Sequence, residues 1–390
     1  MKKVGIITIS KTNNYGAELQ AYSTQKKLRL LGFDAELIDY LYYKHKNHKE
    51  TKASQPAIKF SNKEKINHFL LYRIVSPVVE DFGALFIEKI KIRKKRFLNF
   101  HKKNTKYSDQ YKSHTELYAA KHDYDVFIAG SDQIWNPSTG TSMAPYFLEF
   151  APKDKHRMSY ASSFGVSKIK KEYYPLYKEY LSNLDAIGVR EDDGVELIEE
   201  IAGLKATKVL DPTLLLNKKE WLDVIDTPLK RKKNYIIIYV LHESEPLINL
   251  AYYLQDKLDL EIIKLTKRAY SNKSYPKVIN IEDAGPSEYI DLFMNASFVL
   301  TNSFHGTAFS VNFNVPFFSV LNKERKNNSR MINFLKTIGL EKQIVWEDIS
   351  DFKEIDNFLE IDFSQPNEII EIERDKSVNF LLKNINSTQN

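Results

Sequence analysis

The stretch that decides the fold is Ser297-Phe298-Val299-Leu300-Thr301-Asn302-Ser303-Phe304-His305-Gly306-Thr307-Ala308-Phe309-Ser310. Phe298 to Leu300 is a short apolar run of the kind a buried strand needs. Ser303 then stands where a hydroxyl can accept an orphan N–H at the start of a helix running toward Asn314, and Pro316 stops that helix. His305 and Gly306 thereby fall in the first helical turn, where N–H groups lack partners and the dipole is positive. Gly306 has no side chain, so an anion could approach the backbone there. An imidazole beside such a cradle suits proton transfer to a phosphorylated substrate. The same pattern equally describes a histidine that caps a helix and bonds a neighbouring carbonyl.

Outward from this unit the chain alternates strand and helix. Val4 to Ile9, Phe33 to Tyr40, Tyr124 to Ala129, Arg157 to Phe164, Asp185 to Val189 and Lys208 to Leu210 are apolar strand-like runs in the first half. Tyr235 to Leu241, Leu260 to Leu265, Val278 to Ile281 and Pro316 to Leu321 continue the series. Helical stripes separate them, one ending at Gly32 and another opening with Pro286 at its first position. This alternation predicts an α/β protein of two Rossmann-like domains facing across a cleft. The expected divisions are 1–215, 216–360 and a helical tail over 361–390. Residues 41–110, rich in Lys, His, Asn and Tyr, read as an insertion with a basic helix from about Asp81 to His101.

Composition sets limits on function. With 390 residues, 43% hydrophobic and 13% aromatic, the chain can build two ordinary cores. The net charge of +6 sits largely in local runs such as Lys89 to Lys103 and Lys230 to Lys233, so nucleic acid is not an expected partner. The basic helix reads as a solvated face; the alternative is contact with the acceptor or peripheral contact with the inner membrane surface. There is no cysteine, which removes disulfides, thiolate catalysis and cysteine-ligated zinc. His45, His48, His68, His101 and His114 show no metal-ligand spacing and read as surface residues, so no metal is expected. The start, Met1 to Ile9, is too quickly polar for a signal peptide, and no window approaches the roughly 18 apolar residues of a membrane span. A cytoplasmic protein is the expectation.

Several polar clusters fall just after strands, where open α/β sheets hold ligands. Asn14 and Gly16 follow the first strand and could present N–H groups, or simply form an Asn/Gly turn. That turn lacks the GxGxxG fingerprint and the Walker lysine, so neither NAD nor a P-loop nucleotide is expected. Gly130-Ser131-Asp132-Gln133-Ile134-Trp135 follows another strand and suits a sugar, with hydroxyl hydrogen bonds and a stacking face. The alternative is an Asx-turn tied down by a buried Trp135. Arg190 ends a further strand, where it could meet a carboxylate or phosphate, or pair with Glu191 or Asp192.

Taken in order, Asn13-Asn14-Tyr15-Gly16-Ala17-Glu18-Leu19-Gln20-Ala21-Tyr22, Gly130-Ser131-Asp132-Gln133-Ile134-Trp135-Asn136, Val189-Arg190-Glu191, Asp211-Pro212-Thr213, Gly285-Pro286-Ser287-Glu288-Tyr289 and Thr301-Asn302-Ser303-Phe304-His305-Gly306-Thr307 resemble the polysaccharide pyruvyl transferase family. The resemblance spans nearly the whole chain, with 41–110 its least typical part. It implies a glycosyltransferase-B-like fold, with phosphoenolpyruvate as co-substrate and no other cofactor. A sugar of a cell-surface polysaccharide or its lipid-linked precursor would be the acceptor, and a pyruvate ketal the product. His305 would be the general acid. Arg190 would hold the donor, with the N–H groups after Ser303 and those of Asn14, Gly16 and Gly306 assisting. Asp132 would orient or deprotonate the acceptor alongside Ser131, Gln133 and Trp135. Some members carry an Arg two residues before the motif His; here that position is Ser303, so Arg330, Arg325, Lys267 or Arg268 would have to supply the charge. A nucleotide-sugar-dependent glycosyltransferase and a non-catalytic pathway member are the competing readings.

Overall fold

The computed structural model describes residues 1–41, 45, 47–49, 51, 87–138, 142–225, 234–266, 273–325 and 328–387. The first lobe contains β1 (Lys3–Ile7), α1 (Tyr15–Leu30), β2 (Asp34–Tyr40), α2 (Glu88–Asn104), β3 (Tyr107–Tyr111), α3 (His114–Ala119) and β4 (Val126–Ala129). It continues with β5 (His156–Ser162), α4 (Tyr174–Leu181), β6 (Ala186–Val189), α5 (Asp192–Ala202) and β7 (Thr207–Lys208). The second lobe runs β8 (Tyr235–Tyr239), α6 (Glu245–Leu258), β9 (Glu261–Leu265), β10 (Val278–Ile281), α7 (Pro286–Met294) and β11 (Phe298–Thr301). Then come α8 (Phe304–Phe313), β12 (Phe317–Leu321), α9 (Ser329–Thr337), β13 (Ile344–Trp346) and the last helix, α10 (Ser364–Asn386).

The first sheet has the order β3-β2-β1-β4-β5-β6-β7 and the second β10-β9-β8-β11-β12-β13. Every strand pairing among the described residues is parallel. Helices cover both faces, so the central strands are buried throughout and read as unbroken apolar runs such as Tyr235-Ile236-Ile237-Ile238-Tyr239. In each sheet the chain starts in the middle, works to one edge and returns to the other side of its first strand. The order reverses between β1 and β4 and again between β8 and β11, the places where such sheets open a crevice. Two Rossmann-like domains of the expected class are therefore present. No helix among the described residues is long and apolar enough to cross a membrane.

Three expectations need correction. The stretch 41–110 is not simply an excursion, because its end forms β3 at the edge of the first sheet, hydrogen-bonded to β2. The basic helix α2 does not present only a solvated face either. Ile90, Arg93, Phe97 and Phe100, three or four residues apart, make one buried stripe. Phe97 and Phe100 join Tyr15 and Tyr22 of α1 and Tyr289 of the second lobe in a single core cluster. Residues 52–86, including His68, lie outside the described residues. Among the remaining histidines, His48 and His114 are buried, and His101 pairs through Nε2 with Glu18 Oε2 at 2.6 Å. The tail is helical, as expected, and packs on the first lobe: Leu381 and Ile385 of α10 are buried in its core, and Lys2 Nζ donates to the Ile385 carbonyl at 2.8 Å.

Candidate functional site

The two reversal points face each other across a cavity lined from both lobes. Asn14, Asp132 and Gln133 enter from the first lobe; His242, Asn302, Ser303, His305, Asn322, Arg325, Arg330 and Glu347 enter from the second. Beside it the lobes are joined by Tyr15, fully buried against Tyr289 and Tyr239 at ring separations of 4.8 and 5.9 Å. The Tyr15 hydroxyl donates to the Ala284 carbonyl at 2.9 Å and accepts from Arg93. Burial pushes this phenol up to about 12, with Arg93 opposing the rise.

His305 sits in the first turn of α8, as its surroundings predict. Ser303 is extended, at φ −109° and ψ 133°, and its Oγ accepts from the Gly306 N–H at 3.5 Å. Its carbonyl accepts from the Thr307 N–H at 3.0 Å. The imidazole reaches across to the first lobe and lies on Gly16, where a Cβ would overlap Nδ1 and stand 2.7 Å from Cε1. Gly16 is thus the place where the imidazole needs a residue without a side chain; its N–H is taken by Asn14 Oδ1 at 3.1 Å. Gly306 also differs from expectation. Its N–H serves the Ser303 cap, and a Cβ there would stand 2.9 Å from Thr301 Cβ, so close packing accounts for this glycine rather than an anion.

Nε2 of His305 is buried without a hydrogen-bond partner and lies 3.7 Å from Asp211 Oδ2. Asp211 is itself fully held. Its Oδ1 accepts from the Thr213 N–H at 3.0 Å and from Thr213 Oγ1 at 2.7 Å, and its Oδ2 accepts from Arg190 Nη1 at 2.8 Å. Burial alone would raise this carboxyl, but the His305 ring, the Arg190 guanidinium and Thr213 hold it well below the usual carboxylate range. Arg190 also donates from Nε to Glu191 Oε1 at 3.0 Å and lies over the Phe304 ring at 5.3 Å. Burial works against its charge, yet Glu191, Asp211 and Asp132 raise it above even the ordinary arginine value. Arg190 therefore reaches His305 through a shared carboxylate and does not line the cavity. Its Nη2 is buried with no partner.

Arg330 of α9 presents the guanidinium that does line the cavity. Its nearest carboxylate among the described residues is Glu191, at 4.0 Å. Burial, followed by the nearby Arg190, lowers its affinity for a proton. Arg325 adds a second, exposed cation at the mouth. Lys267 and Arg268 lie outside the described residues.

Of the cluster after β4, Asp132 and Gln133 line the cavity while Ser131 and Trp135 do not. Asp132 takes a left-handed conformation, φ 74°, and its carbonyl accepts from the Ile134 and Ser163 N–H groups at 2.8 and 3.1 Å. Asp132 Oδ1 accepts from the Gln133 N–H at 2.8 Å. Trp135 is fully buried; its Nε1 donates to the Tyr146 carbonyl at 2.9 Å and its ring stacks on Phe147 at 4.8 Å. It is an anchor for the turn and offers no face to a sugar. Ser131 is likewise fully buried, and its carbonyl accepts from Thr8 Oγ1 at 2.8 Å.

The sequence pattern of the polysaccharide pyruvyl transferase family matches residues 14–324. The chain belongs to this family. Membership makes it a transferase of polysaccharide synthesis with a pyruvyl donor and a saccharide acceptor. No protein of curated description matches it by sequence. Among solved structures, Arabidopsis thaliana UGT89C1 complexed with UDP-L-rhamnose is similar with a TM-score of 0.51 and 10% identity, over 99% of each chain. The S. aureus MnaA-UDP co-structure is similar with a TM-score of 0.50 and 11% identity, over 99% of this chain and 97% of that one. At such identity the likeness is one of fold, the glycosyltransferase-B-like pairing of two lobes.

For this pyruvyl transferase family member, reasoning from sequence passed over Asp211 as a site residue, along with Glu191, Asn322 and Glu347. Asp211 carried a visible signal, since an Asp before Pro-Thr just after a strand is placed to accept from Thr213. Nothing local announces Asn322 and Glu347, which meet through Asn322 Nδ2 and Glu347 Oε2 at 2.6 Å from the ends of two different strands.

Proposed function

We propose that the protein transfers the pyruvyl group of phosphoenolpyruvate to a sugar of a cell-surface polysaccharide or its lipid-linked precursor, in the cytoplasm. The observation that carries this reading is the convergence, in one cavity, of the His305 imidazole backed by Asp211, the Arg330 and Arg325 guanidinium groups, and the Asp132 carboxylate. Phosphoenolpyruvate carries a carboxylate and a phosphate, and two arginines on one wall supply the donors that such a dianion requires.

His305, protonated, gives its proton to the methylene carbon of the donor, and C2 becomes electrophilic. A sugar hydroxyl then adds to C2 and loses its proton to the Asp132 carboxylate. The C2–O bond to phosphate breaks, inorganic phosphate departs with the proton that Asp132 took up, and the second hydroxyl adds to C2 and returns its proton to His305, which closes the ketal. Arg330 and Arg325 offset the charge that collects on the leaving phosphate.

Release of phosphate from phosphoenolpyruvate, measured with and without a saccharide acceptor, tests the reaction. Acceptor-dependent release that falls by about 10²- to 10⁴-fold in His305→Ala, with the fold retained, is the expected result. Thermal shift tests the donor, because a ligand that binds the native state alone raises its stability. Stabilisation by a UDP- or GDP-sugar and none by phosphoenolpyruvate would replace this reading with that of a nucleotide-sugar-dependent glycosyltransferase.

A further inference from the structure

We propose that Asp211 is a positioning residue for His305: its Oδ2 holds the proton on Nε2, leaving Nδ1, on the Gly16 side of the ring, as the nitrogen that exchanges protons with substrate. The inference rests on the function proposed above and adds to it a tautomer and a direction of proton transfer.

The carboxylate cannot turn away. Oδ1 is fixed by two donors from Thr213 and Oδ2 by Arg190, so the remaining acceptor capacity of Oδ2 is presented at a set place. Facing it at 3.7 Å is a ring nitrogen sealed from solvent and without a partner. That separation is longer than a hydrogen bond, but catalytic contacts are commonly long before the ligand is in place and tighten when it arrives. The imidazole is seated against the bare backbone of Gly16, which fixes the side of the ring that Nδ1 occupies and leaves Nε2 facing Asp211. Which ring nitrogen carries the proton of a neutral histidine is set by the acceptor the other atoms leave to it, and an anionic carboxylate selects N–H on the side facing it.

Other charges surround the ring. Arg190 and Glu191 stand behind Asp211, Asp132 enters from the loop after β4, Arg330 comes from α9, and His242 lines the same cavity. Among the described residues, Asp211 alone places a carboxylate oxygen within 4 Å of the imidazole. Arg190 then acts two atoms removed, by holding Asp211.

The test is ¹⁵N NMR of the full chain labelled at histidine, with the His305 signals identified by their loss in His305→Gln. Neutral His305 is expected with Nε2 protonated and Nδ1 bare. In Asp211→Asn the anion that selects N–H on Nε2 is gone, so the neutral ring should populate both tautomers. kcat should drop roughly 10²-fold with little change in KM for phosphoenolpyruvate. Asp211→Glu should restore part of the Nε2–H population. A proton found on Nδ1 of the neutral wild-type ring overturns the proposal, as does an unchanged tautomer ratio in folded Asp211→Asn. Should Asp211→Asn not fold, the wild-type tautomer decides alone. A wild type with the expected tautomer that releases no phosphate from phosphoenolpyruvate would refute the proposed function instead.

Discussion

Arg190 and Arg330 carry the same group, come from opposite lobes and lie close enough for the first to disfavour the charge of the second. Their surroundings have little else in common. Arg190 is held by Asp211 at 2.8 Å and Glu191 at 3.0 Å, with Phe304 beneath it. Arg330 lines the cavity and has no carboxylate closer than 4.0 Å among the described residues. A guanidinium already matched to two carboxylates gains little by meeting a third anion. One that is half-desolvated and short of partners gains a great deal. Arg190 of the first lobe therefore belongs to a fixed electrostatic frame, and Arg330 of the second keeps capacity for a ligand.

Substitution separates the two roles. Arg190→Ala leaves the buried Asp211 and Glu191 without their cation, so unfolding free energy in denaturant should fall by about 3–5 kcal/mol. A stability close to wild type, with donor binding lost, would make Arg190 a ligand group and dissolve the distinction. Gly16→Ala comes next: the new Cβ overlaps the His305 ring and must displace it. A misplacement of about 1 Å costs on the order of 10²-fold in rate, so kcat should fall by that much while the circular dichroism spectrum stays unchanged. Arg330→Ala removes a charge-assisted contact made only with ligand. KM for phosphoenolpyruvate should rise about tenfold or more, with stability little altered.

The same contrast explains what could be seen in the sequence. The strand-and-helix alternation, the cap at Ser303 and the place of His305 were all legible, because each depends on neighbours within a few residues. The edge strands β3 and β13 were not; Tyr107–Tyr111 and Ile344–Trp346 are too short or too polar to stand out from loop. Local pattern also misled at Trp135, whose polar neighbours suggest a sugar-binding face while its own ring is packed against Phe147. Gly16 and Gly306 look alike in sequence, each early in a helix after a strand, yet one makes room for an imidazole from the other lobe and the other for Thr301 of its own. Asp211 pairs with Arg190, 21 residues earlier in the same lobe, and faces His305 of the other lobe, and only folding brings the three together.

The groups that meet in the cavity between the reversal points decide the mechanism. A crystal structure with phosphoenolpyruvate bound is the most direct examination of it. The phosphate or carboxylate should contact the Arg330 guanidinium, and the methylene carbon should lie about 3–3.5 Å from Nδ1 of His305. Phosphoenolpyruvate seated elsewhere, or held with its methylene turned from the imidazole, would contradict the mechanism.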